Sequence, residues 1–270
     1  MNADEAPIQA ASLLELLDLV AHRADSFLAP TTSSFGPRLF GGTVAAQSMA
    51  AACRTVTADH RPQSLHAYFI LPGTPDQPLR LDVERTRDGR SFTTRRVVAS
   101  QAGAAIFEMS ASFHRDEAGS DWSMAPPINV PDPDMLEPFV DRDGVPSIGH
   151  FEIRPLGSAA ERYTPPPYWV RSRDELPDDP ALRACVLTYL SDMGILAMAF
   201  HPGMGPVGSA TSLDHAVWFH RPFDPSEWHL FAGGPRSGAG GRGLAVGGVH
   251  RRDGALVATV VQEGLFRPPR

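Results

Sequence analysis

Apolar residues follow two different spacings in the first half of the chain, and each spacing predicts its own kind of element. Ser12 and Glu15 form a capping box that predicts a short helix over Leu13–Val20. The segment Thr43–Arg54 is small or apolar on almost every side, which is typical of a buried helix. Strand patterns follow at 65–71, 79–83, 91–100 and 105–113, with turn pairs at 88–89 and 102–103. The first half is therefore predicted to be a buried helix followed by an antiparallel meander.

The same order of elements returns in the second half of the chain. Asp179 and Pro180 supply the N-cap and first residue of a predicted helix, whose apolar residues recur at helical spacing up to Met193. Strands are predicted after this helix at Ser212–Arg221, Trp228–Ala232, Leu244–His250 and Ala255–Phe266. Two segments of the first half resemble segments of the second half in sequence: 64–69 resembles 213–219, and 103–109 resembles 254–260. Such a repeat predicts a duplicated domain rather than a solenoid.

A segment rich in proline and aspartate separates the two halves. Residues 116–148 show little periodicity, which favours a linker. Two short strands are predicted just after it, over Phe151–Arg154 and Tyr168–Arg171. The predicted organisation is an N-terminal domain over 1–118, a linker over 119–148 and a C-terminal domain over 149–270.

Composition and charge exclude several kinds of partner and chemistry. The chain has 270 residues, a net charge of −7 and an ordinary apolar content, which is typical of a soluble globular protein. An acidic chain does not attract phosphate backbones, so nucleic acid is not an expected partner. All 24 basic residues are arginine. The absence of lysine excludes P-loop, Schiff-base and lysine-base chemistry.

The remaining compositional signals favour a cytoplasmic protein without a bound metal or cofactor. Cys53 and Cys185 lie far apart in apolar stretches, which is typical of free thiols in a reducing compartment and offers no structural zinc site. The acidic N-terminal residues do not resemble a signal peptide. The longest apolar stretches are too short to span a bilayer, so no membrane partner is expected.

Three familiar catalytic patterns are absent or misplaced. Gly238–Gly243 matches a dinucleotide-binding fingerprint, but it lies between strand patterns, and a glycine-rich loop is the better interpretation. No G-x-S-x-G elbow and no H-E-x-x-H motif occurs. His215 lies in an aromatic strand, where a histidine is usually a hydrogen-bonded packing residue.

Three polar residues lie in apolar surroundings and are candidates for chemistry. Asp192 follows the second helix on a face that should be buried, and both burial and the helix C-terminus favour its neutral acid form. Gln262 follows a mainly apolar strand, and Ser212 begins another. The alternative for Asp192 is a surface loop residue, and each of the other two taken singly is equally explained by a structural role.

At these residues the sequence resembles the acyl-CoA thioesterase II family. The matching segments cover nearly the whole chain in order and include the specific blocks W-F-H-R-P-F and Q-E-G: Arg38–Gln47, His66–Gly73, Arg87–Val97, Ser212–Phe223 and Val261–Gly264. The resemblance implies an α+β double hotdog, in which two antiparallel sheets each wrap a long helix and join into one. It also implies a catalytic set that falls on Asp192, Ser212 and Gln262. Gln63 departs from relatives that carry a second histidine near His66, which bears on substrate preference.

The reaction implied by the resemblance is hydrolysis of a fatty acyl-CoA to the free acid and coenzyme A. Asp192 would accept a proton from a water held by Ser212 and Gln262. Apart from the resemblance, Gly41 and Gly42 begin the first helix, and we expect their exposed backbone N–H groups to polarise the substrate carbonyl. If Asp192 is not the base, His66 and His215 are the next candidates. The alternatives are a hotdog hydratase or dehydratase and a module that binds acyl-CoA without hydrolysing it.

Two further expectations concern symmetry and assembly. Aligning the halves through Gly103 and Gly254 puts Ala111 opposite Gln262, so one active centre per chain is expected. Exposed strand edges favour pairing of the halves or of subunits, so a homo-oligomer is expected.

Overall fold

The predicted repeat of a buried helix and an antiparallel meander is present in both halves. The computed structural model describes residues 12–32, 37–124, 129–139, 149–157 and 167–269. The helices are α1 (Leu13–Leu17), α2 (Gly41–Cys53), α3 (Pro180–Ser191) and α4 (Ile195–Met198). The first-half strands are β1 (Val20–Arg23), β2 (Ser26–Ala29), β3 (His60–Phe69), β4 (Leu79–Asp88), β5 (Phe92–Gln101) and β6 (Ala104–Arg115). The later strands are β7 (Phe151–Pro155), β8 (Tyr168–Ser172), β9 (Ser209–Ser212), β10 (Asp214–Phe219), β11 (His229–Ala239), β12 (Arg242–Arg251) and β13 (Leu256–Arg267).

All of these strands belong to one 13-stranded sheet. Its order is β1-β2-β4-β5-β6-β3-β10-β13-β12-β11-β8-β7, with β9 added beside part of β13. Every strand pair in the described residues is antiparallel. The two halves meet where β3 pairs with β10, and the strand order reads the same outward from that junction. The strands of the two halves therefore belong to one continuous sheet.

The two long helices pack against each other on the inner face of this sheet. In α2 almost every side chain is buried, as the small apolar sequence predicts. In α3 the aspartate N-cap and the proline in the first turn are present as predicted, and Ala184–Ser191 is buried. One hydrophobic core extends through both halves and includes residues of both helices. The helices and the junction between the halves thus share one core.

Several predicted boundaries are wrong for local reasons. The helix predicted over Leu13–Val20 has its capping box but ends at Leu17, and Val20 begins the short β1–β2 hairpin, which was not predicted. The strand predicted as Ser212–Arg221 is interrupted at Leu213. Gly238–Gly243 lies in the β11–β12 hairpin, where Gly240 and Gly241 have positive φ, so the loop interpretation is confirmed. Of the predicted linker, 125–128 and 140–148 lie outside the described residues.

Candidate active site

Asp192 lies where the end of α3 meets the beginning of α2. It is the C-cap residue of α3, and the chain turns away at Gly194, whose φ of 83° is the left-handed conformation that often follows a helix. The Asp192 carboxyl accepts a hydrogen bond from the backbone N–H of Gly42. Only 8% of the residue is exposed. The predicted buried position at a helix end is confirmed, and the surface-loop alternative is wrong.

The two glycines at the start of α2 permit this close approach. A Cβ atom on Gly41 would lie 2.6 Å from Cε1 of Phe69 and 2.8 Å from Oδ2 of Asp192. A Cβ atom on Gly42 would lie 2.7 Å from the backbone oxygen of Tyr189 in α3. All three distances are shorter than real Cβ contacts, so any side chain here would push the helices or the carboxyl apart. The first N–H groups of α2 therefore remain open to groups from outside the helix.

A β-bulge turns Ser212 and His215 toward the same side of the sheet. In a regular strand, residues three apart point to opposite faces. Here Ser212 pairs with Gly264, whereas Ala216 pairs with Val261, so the register shifts by one residue between them. The carboxylate of Asp214 accepts the hydrogen bond of the Glu263 N–H at 2.7 Å and replaces a lost ladder bond. The bulge thus brings two polar side chains to one partner.

That partner is Gln262, whose side chain is completely buried. Its Nε2 donates to Oγ of Ser212 at 2.8 Å, and its side chain also hydrogen bonds to the carboxyl of Asp192. Its Oε1 lies 2.5 Å from Nδ1 of His215, and Nε2 of His215 lies 2.8 Å from Oγ of Ser191. The structure therefore brings together all three residues predicted as the catalytic set.

Burial controls the charge of the ionisable groups in this cluster. It raises the pKa of Asp192 to about 7. The hydrogen bonds from Gln262 and Gly42 favour the carboxylate and lower the pKa, but their effect is smaller than that of burial. Burial lowers the pKa of His215 to about 4, so the imidazole is neutral at neutral pH. Burial also raises the pKa of Tyr168 and Tyr189, with a smaller contribution from Asp192, so both phenols stay protonated. Asp192 is therefore the group in this cluster suited to exchange protons near pH 7.

Asp192 and Ser212 both line a cavity of about 520 Å³. Gly41 also lies on its wall, and most of the other lining side chains are apolar: Leu39, Phe40, Val44, Phe69, Ile70, Leu71, Ile106, Phe107, Leu196 and Leu213. The apolar wall comes from both halves of the chain. This arrangement places a proton acceptor and a hydroxyl at the edge of a space suited to an apolar group.

The equivalent place in the first half has no such polar groups. Leu65 pairs with Ala111 across β3 and β6. In the second half the corresponding residues are His215 and Gln262, which lie next to the paired residues Ala216 and Val261. Leu65 and Ala111 are almost fully buried. The predicted match of Ala111 with Gln262 is confirmed, and the chain carries one cluster of this kind in its described residues.

Other sequence candidates lie outside the cluster. His66 is exposed on the opposite face of the sheet, with its ring 5.1 Å from that of Trp218, so it is not the alternative base. Cys53 and Cys185 are both free. The described residues contain no group of three side chains placed to bind a metal ion and no helix long and apolar enough to cross a membrane.

Sequence reasoning missed the network behind Gln262. The sequence predicts His215 as a hydrogen-bonded packing residue or, if Asp192 is not the base, as a candidate base, but it predicts neither Gln262 nor Ser191 as its partner. The available signal was a histidine three residues after a candidate serine. In a regular strand these two side chains would lie on opposite faces of the sheet, so their shared contact cannot be predicted without the bulge.

Comparison with known proteins shows similarity along most of the chain. Family models described as "Acyl-CoA thioesterase N-terminal domain" and "Acyl-CoA thioesterase" match residues 28–114 and 161–265. Acyl-CoA thioesterase 2 of Haemophilus influenzae is 36% identical over 85% of this chain and 88% of its own length. The crystal structure of acyl-CoA thioesterase II TesB2 from Mycobacterium marinum is 38% identical and has a TM-score of 0.80, covering 94% of this chain and 98% of that one.

A more distant structure identifies the fold. A conserved protein with a hot dog fold from Alicyclobacillus acidocaldarius is 20% identical, with a TM-score of 0.78 over 95% of this chain and 98% of its own. The chain therefore has the hotdog fold.

Proposed function

Because the chain belongs to the acyl-CoA thioesterase II family and hydrolyses acyl-CoA thioesters, we propose that Asp192, Ser212 and Gln262 carry out this reaction with an activated water. The observation that carries the proposal is their convergence: Gln262 hydrogen bonds to both Asp192 and Ser212, and the latter two face one apolar cavity. The substrate class we propose is fatty acyl-CoA, because the cavity wall beside Asp192 is mainly apolar.

In the proposed mechanism Asp192 is a general base. Ser212 and Gln262 hold a water molecule beside the Asp192 carboxylate. The water oxygen attacks the thioester carbonyl carbon as Asp192 accepts a water proton. The carbon–sulfur bond then breaks, and the proton passes from Asp192 to the leaving thiolate, giving a carboxylic acid and coenzyme A thiol. A carboxyl with a pKa of about 7 serves both steps, because it accepts and returns a proton near neutral pH.

The start of α2 stabilises charge in this mechanism. The Gly42 N–H already donates to Asp192, so it holds the base beside the cavity. The Gly41 N–H belongs to the first helical turn, lacks an intrahelical acceptor and lies on the cavity wall. We assign it to the carbonyl oxygen, which becomes an oxyanion as the water attacks.

For the architecture, we propose a double hotdog in which each half contributes one helix and one half-sheet. The two halves correspond to 1–118 and 149–270, joined by a linker over 119–148. The strand order on either side of the β3–β10 junction supports this division.

Product analysis tests the reaction type. With the full chain and a panel of saturated and 2-enoyl acyl-CoAs, we expect free thiol and free acid in equal amounts, with no acyl group retained on the protein by intact mass after an acid quench. Conversion of the 2-enoyl substrate to a hydroxyacyl-CoA without thiol release would support a hydratase. Tight binding with no product would support a binding module, and an acyl adduct would replace the water mechanism by a covalent one.

The pH dependence tests the base. Since Asp192 must be ionised and its pKa is raised to about 7, kcat/KM should fall about tenfold per pH unit below pH 7 and level off above it. His215 stays neutral over this range, and Tyr168 and Tyr189 stay protonated. The measurement is a profile from pH 5 to 9 at constant ionic strength. A flat profile, or one that rises toward acid, contradicts the assignment.

A further inference from the structure

We infer that His215 is a positioning residue that holds the side-chain amide of Gln262 in the orientation needed for catalysis. The inference rests on the proposed function, because it concerns how Gln262 is presented to Ser212 and Asp192. His215 is 1% exposed and lies behind Gln262, away from the cavity lining. It therefore acts through Gln262 and does not touch the substrate.

The hydrogen-bonding chemistry of the contact fixes the tautomer of His215. Oε1 of Gln262 only accepts hydrogen bonds, so the Nδ1 atom 2.5 Å away must carry the proton. Burial keeps the imidazole neutral, so Nε2 carries a lone pair and accepts from the Ser191 hydroxyl at 2.8 Å. The Ser191 oxygen also lies 2.7 Å from the backbone oxygen of Thr188, but a hydroxyl has a single proton, and in this tautomer of His215 that proton is given to Nε2.

This tautomer determines which end of the Gln262 amide faces the catalytic residues. With Oε1 held by the His215 N–H, the NH₂ group points to Ser212 and Asp192, the side on which the water is held in the proposed mechanism. When Asp192 is ionised, as a general base must be, a reversed amide would place its oxygen against the carboxylate, and two acceptors repel. All the bonds from Ser191 to Asp192 then run in one direction, which strengthens each donor in the chain.

The comparison of the two halves supports this role independently. The first half has Leu65 where the second has His215, and Ala111 where the second has Gln262. Leu65 is fully buried. An apolar side chain thus packs well at this place in the fold, so the imidazole is not required for packing, and it is present together with the glutamine it contacts.

The test is a set of substitutions in two backgrounds. We expect His215→Leu to lower kcat by roughly tenfold with little change in KM, because a displaced Gln262 positions the water poorly. His215→Asn should recover most of this loss, since its amide N–H replaces the donor near the Nδ1 position. In the Gln262→Ala background, His215→Leu should cost nothing further, because the group it positions is gone.

A matched control separates positioning from stability. His229 is also a buried, neutral histidine on a strand, with Nδ1 bonded to the Glu227 backbone oxygen. We expect His229→Leu to lower the unfolding temperature without changing kcat. Equal losses of kcat from His215→Leu in both backgrounds, or a wild-type kcat for that variant, would overturn the inference.

A measurement on the unsubstituted chain covers the case in which the variants do not fold. The ¹⁵N shifts of the His215 ring should show a neutral imidazole protonated at Nδ1, and protonation at Nε2 alone would overturn the inference. Failure of the proposed function looks different. In that case Asp192→Asn or Gln262→Ala would hydrolyse acyl-CoA at the wild-type rate. A low kcat for Gln262→Ala together with a wild-type kcat for His215→Leu would instead refute only the positioning role of His215.

Discussion

Asp192→Asn should lower kcat by at least about a hundredfold while KM stays close to the wild-type value. Asparagine keeps the shape of the side chain and can still accept from the Gly42 N–H, but it cannot take a proton from water. General-base assistance contributes roughly 10²–10⁴-fold. KM should hold because the apolar cavity wall is unchanged. Steady-state kinetics on one acyl-CoA measures both constants.

The size of the residual activity also tests the number of active centres. Since Leu65 and Ala111 occupy the equivalent place in the first half, no second centre should remain after this substitution. Residual hydrolysis near half of the wild-type rate would show a second centre, and a near wild-type rate would refute Asp192 as the base. Asp224→Asn is the matched control, because Asp224 pairs with Arg183 away from the cavity and its loss should leave kcat unchanged.

The same variant should be more stable than the wild type at pH 8. The pKa of Asp192 is raised from 3.8 to about 7 by folding, so the folded protein holds a proton that the unfolded chain releases. Ionisation of this group therefore destabilises the fold progressively as the pH rises from about 4 to 7. Asparagine does not ionise. The unfolding temperature of Asp192→Asn should therefore exceed that of the wild type most at pH 8, and the difference should disappear below pH 4. If the variant is less stable than the wild type at pH 8, burial does not destabilise the ionised form of Asp192.

The sequence was sufficient for the repeated fold because local signals and the repeat agree. The capping box at Ser12, the aspartate N-cap at Asp179 and the apolar faces of both long helices all predict elements that are present. Short elements such as β1, β2 and α4 were missed, because their few residues carry too little periodicity. Their formation depends on pairing and packing with residues distant in the chain.

For the site, the sequence predicted which residues matter but not how they are held. Asp192, Ser212 and Gln262 were noticeable as polar residues in apolar segments, and the family resemblance selected them from the alternatives. The link through His215 depends on a one-residue register shift near Leu213, which appears only when β10 is paired with β13. The shift in the pKa of Asp192 likewise depends on its enclosure by α2 and α3, which are about half the chain apart in sequence.

Gln262→Ala should lower kcat by roughly ten- to a hundredfold, and Ser212→Ala by less. Gln262 hydrogen bonds to both other catalytic residues, so its removal releases the Asp192 carboxyl and Ser212 together, whereas loss of the serine hydroxyl leaves the Gln262–Asp192 contact in place. Misplacement of a reacting group by about 1 Å costs up to roughly a hundredfold. Both losses should be smaller than that of Asp192→Asn, because the base still assists a poorly held water.

The double variant should be less than additive, because the two residues position the same water. Once Gln262 is absent, Ser212 has lost the partner that orients it, so removing its hydroxyl should add little to the loss in kcat. Asp224 and Ser226 offer a matched control pair: Oγ of Ser226 donates to Oδ1 of Asp224 at 2.7 Å, away from the cavity. Asp224→Ala and Ser226→Ala, singly or together, should leave kcat within about twofold of the wild type. Fully additive losses for Gln262 and Ser212 would mean that the two residues act on separate steps, and Gln262 would then be assigned to the carbonyl oxygen instead of the water.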